Sequence, residues 1–240
     1  MEGCCNSRIY HLPQNLVNRI SVRTNMDEVR QNTLRIQDEG KVDSLDWFEA
    51  LYSNANGNEY WIPWSNGMPH RFLVDWLMEN DNRGRALVVG SGLGEDAAYL
   101  SQQGWEVTAF DISPSAVRWA KEKYITENID WQVADLLSLP EHWRGLFDLV
   151  LEVHILQAIP EPIRILAAPN LAPLVAPLGH LVCIGRLNDN EAIFEGPPWP
   201  LSLNFINSIG SDLRKIDFIK ANFPLDDTEV IRYRSVWERE

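Results

Sequence analysis

Cysteine is scarce in this 240-residue chain, and its placement excludes a disulfide-built scaffold. Of the three cysteines, Cys4 and Cys5 are adjacent, and Cys183 lies in an apolar run that reads as a buried strand. Neither a covalent framework nor a metal-ligand set is expected from that pattern. Long apolar runs are also missing, since nothing approaches the roughly 20 residues needed to cross a bilayer. Residues 1–10 lack the basic start, apolar middle and small-residue cleavage site of a secretory signal, so cytoplasmic residence is the expectation, with no membrane partner. Positive charge is in deficit: 21 Lys and Arg stand against 34 Asp and Glu, a net charge of −13. Such a surface repels a phosphate backbone, which argues against nucleic acid and for a small-molecule substrate. Internal repeats and low-complexity stretches are absent as well. Nothing in the chain fixes the oligomeric state, and a monomer is the default.

What is present is ordinary for one α/β domain: 45% hydrophobic and 23% charged residues. Residues 1–42 read as an N-terminal extension, partly helical or mobile, with one helix over Met26–Gln37 capped by Asn25 and Glu28. Residues 43–80 read as a lid segment of the main unit, 43–240. There Trp47, Phe48 and Leu51 share a helical face, a Gly/Asn-rich loop leads to Trp61-Ile62-Pro63-Trp64, and Pro69 is placed to open a helix carrying Phe72, Leu73, Trp76 and Leu77.

From Arg85 onward, short apolar runs alternate with helix-period segments, the pattern of βαβ units. Strands are expected at Ala86–Val89, Glu106–Phe110, Asp130–Val133, Phe147–Glu152 and His180–Gly185. Helices are expected near Glu95–Gln103, Pro114–Lys123 and Pro162–Ala176, the last broken at Pro169. Leu213–Ala221 and Glu229–Glu238 read as two strands joined by Pro224-Leu225-Asp226-Asp227, too short a connection for a helical crossover, so they run antiparallel. The expected fold is a Rossmann-like, seven-stranded, mostly parallel sheet with an antiparallel C-terminal hairpin and helices on both faces.

The strongest local signal is Val88-Val89-Gly90-Ser91-Gly92-Leu93-Gly94-Glu95-Asp96, a strand running through glycines into a helix. Glycines there let backbone approach a ligand. A dinucleotide fingerprint wants a glycine three positions after the second, where this chain has Glu95. Glu95 and Asp96 also stand where a pyrophosphate would meet the helix start. At about 4 Å and an effective dielectric of about 20, each like-charge contact costs on the order of 4 kcal/mol. S-adenosylmethionine has no phosphate and carries an ammonium and a sulfonium, so the loop favours it as cofactor, with S-adenosylhomocysteine as product. Gly90, Ser91, Gly92, Gly94 and Asp96 are the candidate loop contacts.

Asp111 ends the next strand 111 − 90 = 21 residues after the first glycine, the interval at which an acid accepts hydrogen bonds from ribose hydroxyls. Ile112 is then placed beside adenine. Asp135, followed by Leu136 after the third strand, can accept from the adenine amino group, and Glu152 at the fourth strand end can line the methionine portion.

These residues resemble the thiopurine methyltransferase-like group of class I S-adenosylmethionine-dependent methyltransferases, which includes halide/thiol and tellurite-resistance methyltransferases. The resemblance covers roughly residues 44–240. It rests on the core segments Gly90-Ser91-Gly92-Leu93-Gly94, Phe110-Asp111-Ile112-Ser113 and Phe147-Asp148-Leu149-Val150. It also rests on Trp47 with Tyr52, Ile62-Pro63-Trp64-Ser65-Asn66-Gly67-Met68-Pro69, and Glu195-Gly196-Pro197-Pro198-Trp199. It implies an aromatic lid over cofactor and acceptor, and a Gly-Pro-Pro loop beside the acceptor. The halide/thiol members usually carry Asp where this chain has Ser65, and His154 and Gln157 replace aromatic or small residues, departures that argue against halide specificity.

Methyl transfer from a sulfonium is an in-line displacement, so alignment and exclusion of water are the protein's main tasks. Trp47 is a candidate cofactor contact, and Trp64 and Trp199 are candidate acceptor contacts. A soft sulfur or selenium nucleophile needs little proton removal, whereas an alcohol or amine needs a base, for which His154 is the candidate. Gln157 and Arg186 complete the expected acceptor set, Arg186 as a holder of an anionic group. The expected activity is methylation of a small soft acceptor. O- or N-methylation of a metabolite is the alternative enzyme, and a cofactor sensor without chemistry is the alternative class.

Overall fold

The computed structural model describes residues 26–39, 45–190, 194, 196–223 and 230–240. Cys4, Cys5, Asn25, Glu195 and the connection from Pro224 to Asp227 lie outside them. In chain order the helices are α1 (Met26–Glu39), α2 (Asp46–Ala55), α3 (Arg71–Glu79), α4 (Glu95–Gln102), α5 (Pro114–Lys123), α6 (Glu161–Ala167) and α7 (Leu203–Ile209). The strands are β1 (Arg85–Val89), β2 (Glu106–Asp111), β3 (Ile129–Val133), β4 (Phe147–Val153), β5 (Val175–Asn188), β6 (Leu201–Ser202), β7 (Arg214–Ala221) and β8 (Ile231–Glu238).

The sheet runs β3-β2-β1-β4-β5-β8-β7, with short β6 paired to β5 off this path. It therefore has eight strands rather than the expected seven. Strands β1 to β5 are mutually parallel, and β8 is antiparallel to both β5 and β7. The expected antiparallel pair at residues 213–238 is present as β7 and β8, and it is β8, the later strand, that lies against β5.

Alternate residues of the central strands supply two cores, as expected for a sheet covered on both faces. One side packs Leu87, Val89, Val150, Leu181 and Tyr233 against α6 and α7. The other packs Ala86, Val88, Val107, Leu151 and Ile184 against Phe72, Leu73, Trp76 and Leu77 of α3 and Ala97 and Leu100 of α4. A third cluster joins Ile36 of α1 to Trp47, Leu51 and Tyr52 of α2 and to Leu93, which seats the lid on the glycine loop.

Three local readings need correction. Pro69 does not open α3: His70 is its N-cap, with Nδ1 accepting from Phe72 N at 3.2 Å. The helix expected to reach Ala176 stops at Ala167, and two 3-10 turns carrying Pro169 and Pro173 lead straight into β5. Helix α7 escaped the pattern because it is only seven residues long, although Ser202 caps it by accepting from Phe205 N at 3.2 Å.

Candidate active site

The site lies along the carboxyl ends of the parallel strands, where open α/β sheets bind ligands. Val89, the last residue of β1, is in register with Phe110 on β2 and Glu152 on β4, so the loops after these strands converge. Gly90 has φ +61, and a Cβ there would meet Ile155 Cδ1 at 2.3 Å. Gly94, with φ +87, caps α4, and a Cβ would lie 2.5 Å from the Trp131 ring. The loop is thus closed on both sides by side chains that leave no room for substituents. Ser91 N donates to Phe110 O at 2.8 Å, while its buried Oγ has no hydrogen-bond partner among the described residues.

Asp111 is buried and ties the loop to the following helix. Its Oδ2 accepts from Gly92 N and its Oδ1 from Ser113 N, both at 2.9 Å. Burial raises its pKa against those backbone bonds. A carboxylate holding one N–H per oxygen keeps lone pairs for further donors. Beside it opens a cleft of about 520 Å³, counted to its open mouth, lined by Gly90, Asp111, Ile112, Asp135 and Leu136 and walled by Leu45, Phe48, Ile155, Ile159 and Ile163. Asp135 Oδ1 accepts from Leu137 N at 2.9 Å, which fixes the acid at the rim.

Helix α2 roofs this cleft and is latched to the core by Glu49. Its two oxygens accept from Ser113 Oγ and Ser115 Oγ at 2.6 Å each and from Ser115 N at 3.0 Å. Against the burial that raises it, these bonds hold the Glu49 carboxyl below its usual range. The roof residue is Phe48 rather than Trp47. Trp47 is 6% exposed, stacks on Phe48 at 3.9 Å and packs into the lid core. Trp64, 42% exposed, donates from Nε1 to Tyr52 Oη at 2.8 Å, close to Gly92.

The acids after the glycines do not stand bare. Glu95 Oε1 accepts from Ser65 Oγ at 2.6 Å and pairs with Lys123 Nζ at 3.1 Å. Asp96 Oδ1 accepts from His70 N at 2.7 Å, and burial raises its pKa to about 6. These two side chains fasten the lid, so their charges are engaged there instead of standing bare against a diphosphate, and Asp96 is held by the lid rather than offered to a ligand. Glu152 is fully buried. Its Oε1 accepts from Ile155 N at 2.6 Å and Leu156 N at 3.0 Å, and burial raises its pKa to about 7.

The other predicted residues gather beyond β4 and β5. Gln157 Oε1 accepts from Arg186 N at 2.6 Å, and Gln157 O accepts from Trp199 N at 2.7 Å. His154 has φ +64, and its Nε2 lies 3.0 Å from Arg232 Nη1. Desolvation, then the neighbouring His70, Arg232 and Arg186, hold its pKa well below the ordinary histidine value. With Nε2 accepting a hydrogen bond from the guanidinium, the ring is neutral and that lone pair is occupied. That geometry corrects the reading of His154 as a ready base. Sequence reasoning also missed Phe48, Glu49, His70 and Arg232. Phe48 was visible on the same helical face as Trp47, whereas the others had no local signal.

Residues 87–183 match the family model described as a methyltransferase domain. That segment is about two fifths of the chain, and within it the chain is similar to domains that take S-adenosylmethionine as cofactor. Over 112 residues it is 31% identical to a ubiquinone biosynthesis O-methyltransferase of Xanthomonas campestris pv. campestris, covering 46% of each chain. It thus spans about half the length of that curated relative. A probable thiol methyltransferase 2 of Arabidopsis thaliana is 27% identical over 194 residues, 70% of this chain and 80% of the relative. The solved 1,6-didemethyltoxoflavin-N1-methyltransferase of Burkholderia thailandensis, with bound S-adenosylhomocysteine, superposes with a TM-score of 0.61 at 16% identity, over 80% of this chain and 87% of that one. This likeness is one of fold.

The methyltransferase domain's own residues fit its cofactor. Gly90 lines the cleft as bare backbone against Ile155, and Asp111, with its oxygens each holding a backbone N–H, keeps acceptor capacity beside it. Phe48, Ile112 and Leu136 form an apolar slot with Asp135 at its rim. Among the described residues no helix is long and apolar enough to cross a membrane, and no group of three or more His, Cys, Asp or Glu is placed to hold a metal ion.

Proposed function

We propose that this protein methylates a small molecule on a soft nucleophile of the sulfur or selenium kind, as a member of the thiopurine methyltransferase-like group. S-adenosylmethionine supplies, when bound, a methyl group on a sulfonium that an in-line nucleophile displaces. Asp111 and Asp135 hold the nucleoside, Ile112, Leu136 and Phe48 enclose its base, and the backbone of Gly90, Ser91 and Gly92 lies along the remainder. Trp64, with Tyr52 behind it, sheds water from the acceptor side, while Gln157, Arg186 and Trp199 frame the opposite wall.

The observation that carries the soft-acceptor reading is the Arg232–His154 contact. An alcohol or amine needs its proton removed, and the histidine best placed to do so is neutral with its lone pair already used. A thiol ionises by itself within reach of neutral pH. Similarity to a protein named as a thiol methyltransferase, over 80% of that protein's length, supports the same reading.

O- or N-methylation is favoured by one observation: Glu152 is buried at the end of β4, beside the Cys183 thiol, with its pKa raised to about 7 by desolvation. A panel of thiols, selenols, halides, phenols and amines, assayed for S-adenosylhomocysteine release across pH, separates the two. Soft transfer predicts that thiols lead and that the pH midpoint follows the pKa of each thiol. Preferred turnover of phenols or amines, lost in Glu152→Gln, would overturn it. Cofactor binding without turnover of any acceptor would make the protein a sensor.

A further inference from the structure

We infer that Gln157 is a positioning residue that passes the binding of the cofactor on to the acceptor wall. The inference rests on the cofactor reading above and holds whichever atom the acceptor offers. Strand β4 lies between β1 and β5 in the sheet, so the turn that follows it, residues 154–157, stands between the glycine loop and the end of β5. At the cofactor end, Ile155 lines the cleft and covers Gly90, where a Cβ would meet its Cδ1 at 2.3 Å and its Cγ1 at 2.6 Å. At the other end Gln157, only 3% exposed, holds two separate segments. Its Oε1 accepts from Arg186 N of β5 at 2.6 Å, and its main-chain O accepts from Trp199 N at 2.7 Å. Its side chain is also hydrogen-bonded to that of His154. Gly185 leaves the space this demands, since a Cβ there would lie 3.0 Å from Gln157 Oε1.

The turn between these ends is both anchored and strained. Glu152 Oε1 accepts from Ile155 N and Leu156 N, and His154 N donates to Ile184 O at 2.9 Å. His154 itself has φ +64, in the left-handed region. A non-glycine residue there sits in a costly conformation that persists only when the surrounding bonds over-determine it. Removing an anchor lets such a turn relax, and adding one holds it.

A ligand lying along Gly90 supplies a further anchor, because it closes off the space into which Ile155 would move. Leu156, fully buried between Ile155 and Gln157, makes the turn shift as a unit, since packed side chains do not deform gradually. Holding Ile155 therefore holds Gln157, and with it the end of β5 and Trp199. The ordering cost of the wall is met when the cofactor binds, so the acceptor that follows meets a finished site.

The test is amide hydrogen exchange on the full chain with and without S-adenosylhomocysteine. Exchange should slow at residues 90–94 and, by about fivefold or more, at Arg186 N and Trp199 N. Trp199 reports cleanly, because it carries the one backbone N–H between Pro197 and Pro200. In Gln157→Met, which keeps the bulk without the acceptor, slowing should persist at 90–94 and fall toward onefold at Arg186 and Trp199. Gln157→Glu, with an oxygen at the same reach, should regain part of it. Ile155→Ala cuts the route at its opposite end and should give the same loss, so the outcome does not hang on one variant folding. Slowing confined to 90–94 in the unaltered protein overturns the inference and leaves the cofactor reading standing. So does undiminished slowing at Trp199 in both Gln157→Met and Ile155→Ala. Absence of slowing at every amide removes the cofactor reading and this inference with it.

Discussion

The two ends of the strand edge are made of opposite materials. At the cofactor end, β1 and β2 deliver bare backbone and the buried carboxyl of Asp111 beneath an aromatic and aliphatic roof. At the acceptor end, β4, β5 and β8 deliver histidine and two arginines. The first end is local in sequence, because one strand–loop–helix unit and the next strand supply nearly all of it. The second draws His154, Arg186 and Arg232 together because β8 pairs with β5, with Trp199 joined to it through Gln157 O. The first end therefore follows from a compact segment, while the second follows from the topology.

The contrast breaks most sharply if the cofactor end proves pliable. Gly94→Val places a branched side chain at φ +87 and against Trp131, and should cost about 3 kcal/mol of stability, read from denaturant unfolding. A loss below about 1 kcal/mol would mean the loop relaxes freely.

Next in size is a pH effect. Asp96 has a folded pKa of about 6 against an ordinary 3.8, so the folded state keeps its proton after the unfolded chain has released it. Stability from this group is full below about pH 4 and is lost as pH rises through 6, amounting to about 2–3 kcal/mol. Asp96→Asn keeps an oxygen for His70 N, so its melting temperature should gain on the unaltered protein between pH 4 and pH 7. A constant gap across that range would show that the carboxyl titrates normally.

Asp111→Ala should weaken S-adenosylhomocysteine binding by about 1–3 kcal/mol in calorimetry while leaving acceptor preference intact. An unchanged dissociation constant would remove Asp111 from the cofactor end altogether. Glu49→Gln gives up charge-assisted bonds to Ser113 and Ser115 and should raise the same constant by about 1 kcal/mol, since α2 carries Phe48 over the cleft. Smallest is Trp199→Ala, expected to raise acceptor KM about fivefold with cofactor affinity preserved. If cofactor affinity falls equally, the two ends are not separable.

The sequence made one end plain and left the other nearly invisible. The glycine run, the 21-residue interval to Asp111 and the apolar strands can be read because they depend on spacing along the chain. β1, β2, β3 and β4 lie within one residue of their expected bounds. Trp47 was chosen over Phe48 because helical periodicity gives a face but not which of two neighbours tops the cleft. Asp96 reads as a ligand contact, and Glu95 with it as a charge facing the ligand, because nothing local reveals that Ser65, His70 and Lys123 reach these acids across 26 to 30 residues. His154 looked like a base until β8 brought Arg232, 78 residues later, onto its nitrogen.

The position of β8 also bears on how the molecule is made. Synthesis completes β1 to β5 first, and that set can assemble as a parallel unit with its glycine loop in place. Strand β7 precedes β8 and, among the described residues, joins the sheet only through it, so it cannot dock until residues 231–238 slot between it and β5. A chain lacking residues 231–238 should therefore leave the edges of β5 and β7 open and be prone to aggregate.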